Sequence, residues 1–237
     1  MNIPVNYSDL KISIVILFTL VFFYVYYYFA HSETLKKRFD KHSNINFEVK
    51  LFISRKLLGF TVLGLIPGLL YFFLLKPNIS IADFFIGNSF SGIYVTLFLA
   101  CIIILLTYMN QKSKPKRNSL QMNISEWTPS LFAVNAIGWI IYLLSYEFLF
   151  RGILLFECYE NFGFWPAIAI NVAIYSAIHM INSKEEAIGA LLFGTIACYF
   201  TLQQGTIFIP IIMHIALSLS SDFFSIRINK DLKFIKS

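Results

Sequence analysis

Four ionisable side chains sit inside apolar stretches in the second half of this sequence. They are Glu147 and Arg151 in "SYEFLFRG", His179 in "NVAIYSAIHMINS" and His214 in "IPIIMHIALSLSSDFF". A charge at the centre of a bilayer costs roughly 2.5–3.5 kcal/mol on insertion scales, so such residues face a protein interior or a wet cavity and have a task there. A carboxylate with two imidazoles is what water-activating hydrolysis requires: a base, a group to orient the water, and a donor for the developing oxyanion. Each pattern runs along one helical face. Glu147 and Arg151 are four residues apart, with Asn135 and Trp139 on the same stripe; Asn171, Tyr175 and His179 also step by four, as do His214, Ser218 and Asp222. Taken singly, each has a plainer account: the Glu/Arg pair as a buried salt bridge, either histidine as a hydrogen-bonded core residue. Two imidazoles on separate helices would also suit axial ligation of a haem or proton-coupled transport, although the earlier part of the chain offers no polar path for transport.

The elements that must position these residues are membrane spans. The chain of 237 residues is 57% apolar and only 14% charged, against about 25% charged for an ordinary soluble domain. Runs of about 20 mostly apolar residues, long enough to span, fall at Ile12–Ala30, Leu57–Leu75, Gly92–Tyr108, Leu131–Phe150, Trp165–Ile181, Ala187–Leu202 and Ile207–Phe224. The fold class expected is therefore all-α, a polytopic transmembrane bundle of about seven spans, within a range of six to eight. The stretch Ile79–Phe90 is interrupted by Asp83 and Asn88 and reads as an interfacial segment or as the start of a longer third span. The first run has no small-x-small cleavage site and reads as a retained span rather than a signal peptide. The segment "FFYVYYYF" near its end reads as an interfacial aromatic belt.

Four regions follow: three N-terminal spans in 1–110, a basic polar linker over 111–130, a four-span core over 131–224 that carries all the candidate chemistry, and a basic tail over 225–237. The net charge of +6 sits in loops, with seven Lys/Arg between Ala30 and Lys56, four between Asn110 and Arg117, and four in the tail (Arg227, Lys230, Lys233 and Lys236). Alternation of seven spans puts these segments on one side. That side is expected to be cytoplasmic, with the N-terminus outside and no nucleic-acid partner. Cys101, Cys158 and Cys198 are scattered and odd in number, which excludes a disulfide framework or a cysteine metal spacing.

Antiparallel helices bring residues equidistant from their turn to one depth. The turn "ENFGF" centres near Phe162, fifteen residues after Glu147 and seventeen before His179, so those two should be level on adjacent helices. His214, nine residues after Gly205, should lie in the inner half of its span. A fourth helix running from Pro129 to Tyr159 would be about 45 Å long and must tilt or protrude.

The residues "YEFLFRG", "YSAIH" and "HIALS" on three of the core spans resemble the CPBP intramembrane proteases, which include the CAAX prenyl endopeptidases and the bacterial Abi-type bacteriocin-processing and immunity proteins. Their pattern is Glu-Glu-x-x-x-Arg ending Phe-Arg-Gly, then aromatic-x-x-x-His, then His-x-x-x-Asn. The resemblance covers about Leu131–Phe224 and departs at two points: Tyr146 stands where the family has its first glutamate, the usual general base, and Ser218 replaces the asparagine. It implies an integral protein of a bacterial plasma membrane with a cytoplasm-facing cavity, acting as an endopeptidase on a membrane-proximal or prenylated peptide. By that resemblance Glu147 is the base or a metal ligand, His179 orients the water, His214 and Ser218 hold the oxyanion, and Arg151 positions Glu147. Zinc bound by Glu147, His179 and His214 is one cofactor reading and no metal is the other. The alternative function, prompted by Tyr146, is a catalytically impaired binding, scaffold or bacteriocin-immunity protein.

Overall fold

The computed structural model describes residues 7–39, 44–85, 91–113 and 120–235. Lys41, Lys114, Lys116, Arg117, Lys236 and the end of the Ile79–Phe90 stretch lie outside the described residues. The elements are α1 (Tyr7–Ala30), α2 (Glu33–Lys37), α3 (Asn44–Gly59), α4 (Ile66–Leu70), α5 (Ser91–Ser113), β1 (Glu126–Trp127), α6 (Pro129–Glu147), α7 (Leu155–Phe162), α8 (Phe164–His179), α9 (Lys184–Gln204), α10 (Phe208–Ile228) and β2 (Lys233–Phe234). Three π-helical segments, Phe60–Leu65, Tyr71–Leu75 and Phe148–Leu154, fuse α3 to α4, extend α4 and fuse α6 to α7.

Among the described residues, six helical runs are long and apolar enough to cross a membrane: Leu10–Lys37, Ile45–Leu75, Gly92–Ser113, Pro129–Phe162, Lys184–Gln204 and Phe208–Ile228. The chain is thus a polytopic α-helical membrane protein. Large apolar side chains such as Leu17, Phe73, Leu74, Tyr94, Phe98 and Leu105 cover its outer surface, as hydrocarbon requires. The fifth expected span is a shorter apolar helix, Phe164–His179; at 16 residues it rises only about 24 Å. It starts abruptly because Gly163 has φ +80°, open to glycine without a Cβ penalty. It stops where "INSKEE" begins, with the Ser183 hydroxyl accepting from the Glu186 amide to cap α9.

Two expected boundaries move. The second span begins near Ile45 rather than Leu57, a continuous run of 31 residues, so Lys50, Arg55 and Lys56 ride on a helix instead of a loop. The reason is the apolar face between those charges, where Leu51 and Phe52 are buried. The fourth span runs 34 residues from Pro129 to Phe162, the long helix anticipated, with its middle turn loosened into a π-helix. The Ile79–Phe90 stretch contributes a short 3-10 turn at Ile81–Phe84, whose Phe84 carbonyl accepts from the Ile207 amide at the start of α10.

The second span packs against α6 through small residues, as membrane helices do when their backbones must approach closely. A Cβ on Gly64 would lie 2.6 Å from Ser145 Oγ, and one on Gly138 would lie 2.4 Å from Phe52 Cε1. At one end of the bundle the fully buried Glu157 accepts from the Tyr71 hydroxyl at 2.6 Å and pairs with Lys11 at 3.1 Å and Lys76 at 3.3 Å. Three spans are tied there by one carboxylate. At the opposite end, β1 in the linker pairs in parallel with β2 in the tail. Met122, Trp127 and Leu232 bury themselves there with Phe52 and Ile226, so linker and tail form one small strap.

Candidate active site

The site grows out of the irregular middle of the fourth span. Tyr146 and Glu147 end α6, and the π-helical turn that follows, "FLFRGIL", is buried throughout. Single π turns of this kind re-aim side chains and leave backbone groups in need of outside partners. Asn171, fully buried on α8, meets that need: its amide donates to the Phe150 carbonyl at 2.7 Å and accepts from Cys198 Sγ at 3.2 Å. Arg151, on the same turn, places its guanidinium 4.0 Å from the centre of the Tyr175 ring.

Glu147 is the hub. Its Oε2 lies 3.1 Å from Arg151 Nη1, and its Oε1 lies 2.5 Å from His214 Nδ1 on α10. Glu147 and Arg151 are both fully buried, whereas the His214 side chain is 12% exposed. With a permanent cation at its second oxygen, Glu147 is a carboxylate, so His214 Nδ1 is the donor, and in the neutral ring Nε2 carries the lone pair. On α8, His179 Nδ1 lies 2.8 Å from the Tyr175 carbonyl. A carbonyl can only accept, so this imidazole also carries its proton on Nδ1. Both rings stand edge-on to Tyr146, at centroid distances of 6.5 Å for His179 and 5.9 Å for His214.

A cavity of about 620 Å³ opens onto this cluster. Tyr146, His179, His214 and Ser218 line it, whereas Glu147 and Arg151 do not. Phe23, Tyr26 and Tyr27 of α1 form one wall, and Gln121, Glu185 and Glu186 line it where the linker and the start of α9 meet. The structure therefore joins Glu147, Arg151 and His214 directly and faces His179 and Ser218 into the same space.

Asn135 and Trp139, expected on the Glu147 stripe, belong to a second cluster. Both donate to Asp222 Oδ2 at 2.8 Å, and the buried Lys56 ammonium lies over the Trp139 and Tyr142 rings. Asn135 and Trp139 lie two to three turns before Glu147 on the same regular helix, so one stripe meets α10 at two depths, Asp222 and His214. The α1 aromatic wall was hidden in "FFYVYYYF". A spacing of three and one among Phe23, Tyr26 and Tyr27 marks one inward face, while Tyr24, Tyr28 and Phe29 are exposed in the manner of the belt expected.

Zinc takes three or four ligands, and among the described residues no three His, Cys, Asp or Glu side chains are gathered to hold a metal. Both Glu147 oxygens and both Nδ1 atoms already have partners, and Glu147 does not reach the cavity. The set Glu147, His179 and His214 does not fit a zinc ion as arranged here.

Fold and site together define a class: a polytopic helical membrane protein whose buried carboxylate backs an imidazole in a cavity. Residues 127–220 match the family model described as Type II CAAX prenyl endopeptidase Rce1-like, so in that segment the chain is similar to the CAAX-type membrane endopeptidases. No curated protein and no solved structure matches the chain.

Proposed function

We propose that this protein is a membrane endopeptidase in which His214, backed by Glu147, activates water against a peptide entering the cavity. The observation that carries the reading is the Glu147 Oε1 to His214 Nδ1 contact of 2.5 Å, with only the imidazole reaching the cavity. This moves the base from the carboxylate to the ring it orients, as the third group of a nucleophile–base–orienter set does. His214 Nε2 takes a proton from water as its oxygen attacks the peptide carbonyl carbon. The imidazolium formed is stabilised by the Glu147 carboxylate, and the tetrahedral intermediate collapses when that proton passes to the leaving amine. His179 Nε2, the second lone pair in the cavity, accepts from the water and holds it in line. The Ser218 hydroxyl is a donor on the same wall. Arg151 keeps Glu147 ionised and correctly turned.

The core over 131–224 supplies this chemistry, and the helices before it supply the aromatic wall. The basic segments are assigned to the cytoplasm by the positive-inside rule, with the N-terminus outside, so a peptide enters from the cytoplasmic face. The substrate class, a membrane-proximal or prenylated peptide, rests on the family.

The test uses full-length protein in lipid nanodiscs with internally quenched peptides, prenylated and plain. Cleavage by the wild type that falls to background in His214→Ala, with peptide binding retained, is the expected result. Equal turnover in His214→Ala would refute the assignment, and binding without any hydrolysis by the wild type would favour the scaffold alternative.

A further inference from the structure

Tyr146 is 3% exposed, yet it lines the cavity. Its ring is held on three sides: stacked on Phe150 at 4.6 Å and edge-on to both imidazoles. Its hydroxyl, by contrast, is buried without a hydrogen-bond partner. Native proteins seldom leave a buried donor unsatisfied, and an exception asks what is absent from it. The donor inventory of the site sharpens the question. Both imidazoles spend their one N–H on Nδ1 partners, Glu147 and the Tyr175 carbonyl, so each turns an acceptor toward the cavity. Arg151 does not line the cavity. A peptide carbonyl, acceptor only, placed between two acceptor nitrogens would be repelled unless a hydroxyl meets it.

We propose that the Tyr146 hydroxyl is the hydrogen-bond donor to the scissile carbonyl oxygen and to the oxyanion that follows, with Ser218 as its companion. This assignment rests on the peptidase reading and deepens it. The phenol does not replace a missing base, because His214 has that task. With Ser218 it supplies the donors that two Nδ1-protonated imidazoles do not offer. Proton balance is unaffected: the phenol keeps its proton throughout and only shares it with the oxyanion.

The first variant is Tyr146→Phe, which keeps the ring stack and removes only the oxygen. Loss of one oxyanion donor lowers kcat by about 10²–10³-fold, so a fall of that size with KM changed less than threefold and an unchanged melting temperature is expected. The second measurement needs no turnover. On the His214→Ala protein, a peptide is expected to bind about tenfold more tightly than the same peptide with its scissile amide replaced by an E-alkene, which has no carbonyl oxygen, and Tyr146→Phe should abolish that preference. Should Tyr146→Phe fail to fold, 3,5-difluorotyrosine at position 146, a stronger donor of similar shape, is expected to widen the preference two- to threefold. Full activity or an undiminished alkene penalty in Tyr146→Phe, or no change with difluorotyrosine, overturns the proposal. A wild type that never cleaves but still discriminates the alkene would sink the peptidase reading and with it the oxyanion role, leaving Tyr146 as the donor to a bound carbonyl only.

Discussion

Replacing Glu147 with glutamine separates the two duties of that side chain. A carboxylate has two acceptor oxygens, and here one faces Arg151 Nη1 at 3.1 Å and the other His214 Nδ1 at 2.5 Å. An amide has one acceptor, so glutamine must turn its NH₂ either toward a guanidinium or toward an imidazole N–H. The ion pair is fully buried on both sides. At 3.1 Å and an effective dielectric of about 20, its attraction is on the order of 5 kcal/mol, and stranding one member of a buried pair typically costs about 3–5 kcal/mol. For a chain of this size that corresponds to a fall in melting temperature of roughly 6–20 °C. Thermal unfolding in a mild detergent, followed by intrinsic fluorescence, reads it directly. The decisive companion is Glu147→Gln/Arg151→Met, which removes the stranded cation along with the charge. It should recover at least half of the lost stability while activity stays about 10²–10⁴-fold down, because no carboxylate remains to stabilise the His214 imidazolium. A single variant melting within about 2 °C of wild type, or a double variant no more stable than the single, would refute the buried-pair account. Wild-type turnover in Glu147→Gln would refute the catalytic one.

Two further outcomes follow from particular contacts. Gly64→Ala brings a Cβ to 2.6 Å from Ser145 Oγ and 3.3 Å from Ser145 Cα, so the second span must shift off α6 one residue before Tyr146. A stability loss of about 1–3 kcal/mol is expected, together with reduced kcat/KM, and a silent substitution by both measures would show the helices to be less closely packed. Because Glu147 is held by Arg151 and His214 away from the cavity, leaving two imidazole nitrogens there and no third ligand from the set, incubation with 1,10-phenanthroline should leave peptide cleavage within about twofold. Inhibition reversed by added zinc would overturn the metal-free arrangement.

Much of this protein was legible in its residues because hydrocarbon is an unforgiving solvent. Long apolar runs must be helical there, so the spans could be drawn before any coordinates. Glu147, Arg151, His179 and His214 were conspicuous by their cost in such runs, and turn-counting placed Glu147 and His179 at a common depth. Helix ends were less legible. Lys50, Arg55 and Lys56 looked like loop charges because local sequence does not reveal that Lys56 can bury its ammonium on Trp139 and Tyr142.

What only the tertiary structure decided is who faces whom. A four-residue stripe assigns Asn135, Trp139, Glu147 and Arg151 to one face, but it does not say which partner on α10 each depth along that face will meet. Asn135 and Trp139 go to Asp222, and Glu147 goes to His214. The division between a buried carboxylate and a cavity-lining imidazole depends on how α10 lies against α6, a packing relation with no signature in the spacing of either helix. Chain chemistry thus selected the residues that could react; the distances between helices chose the order in which they stand.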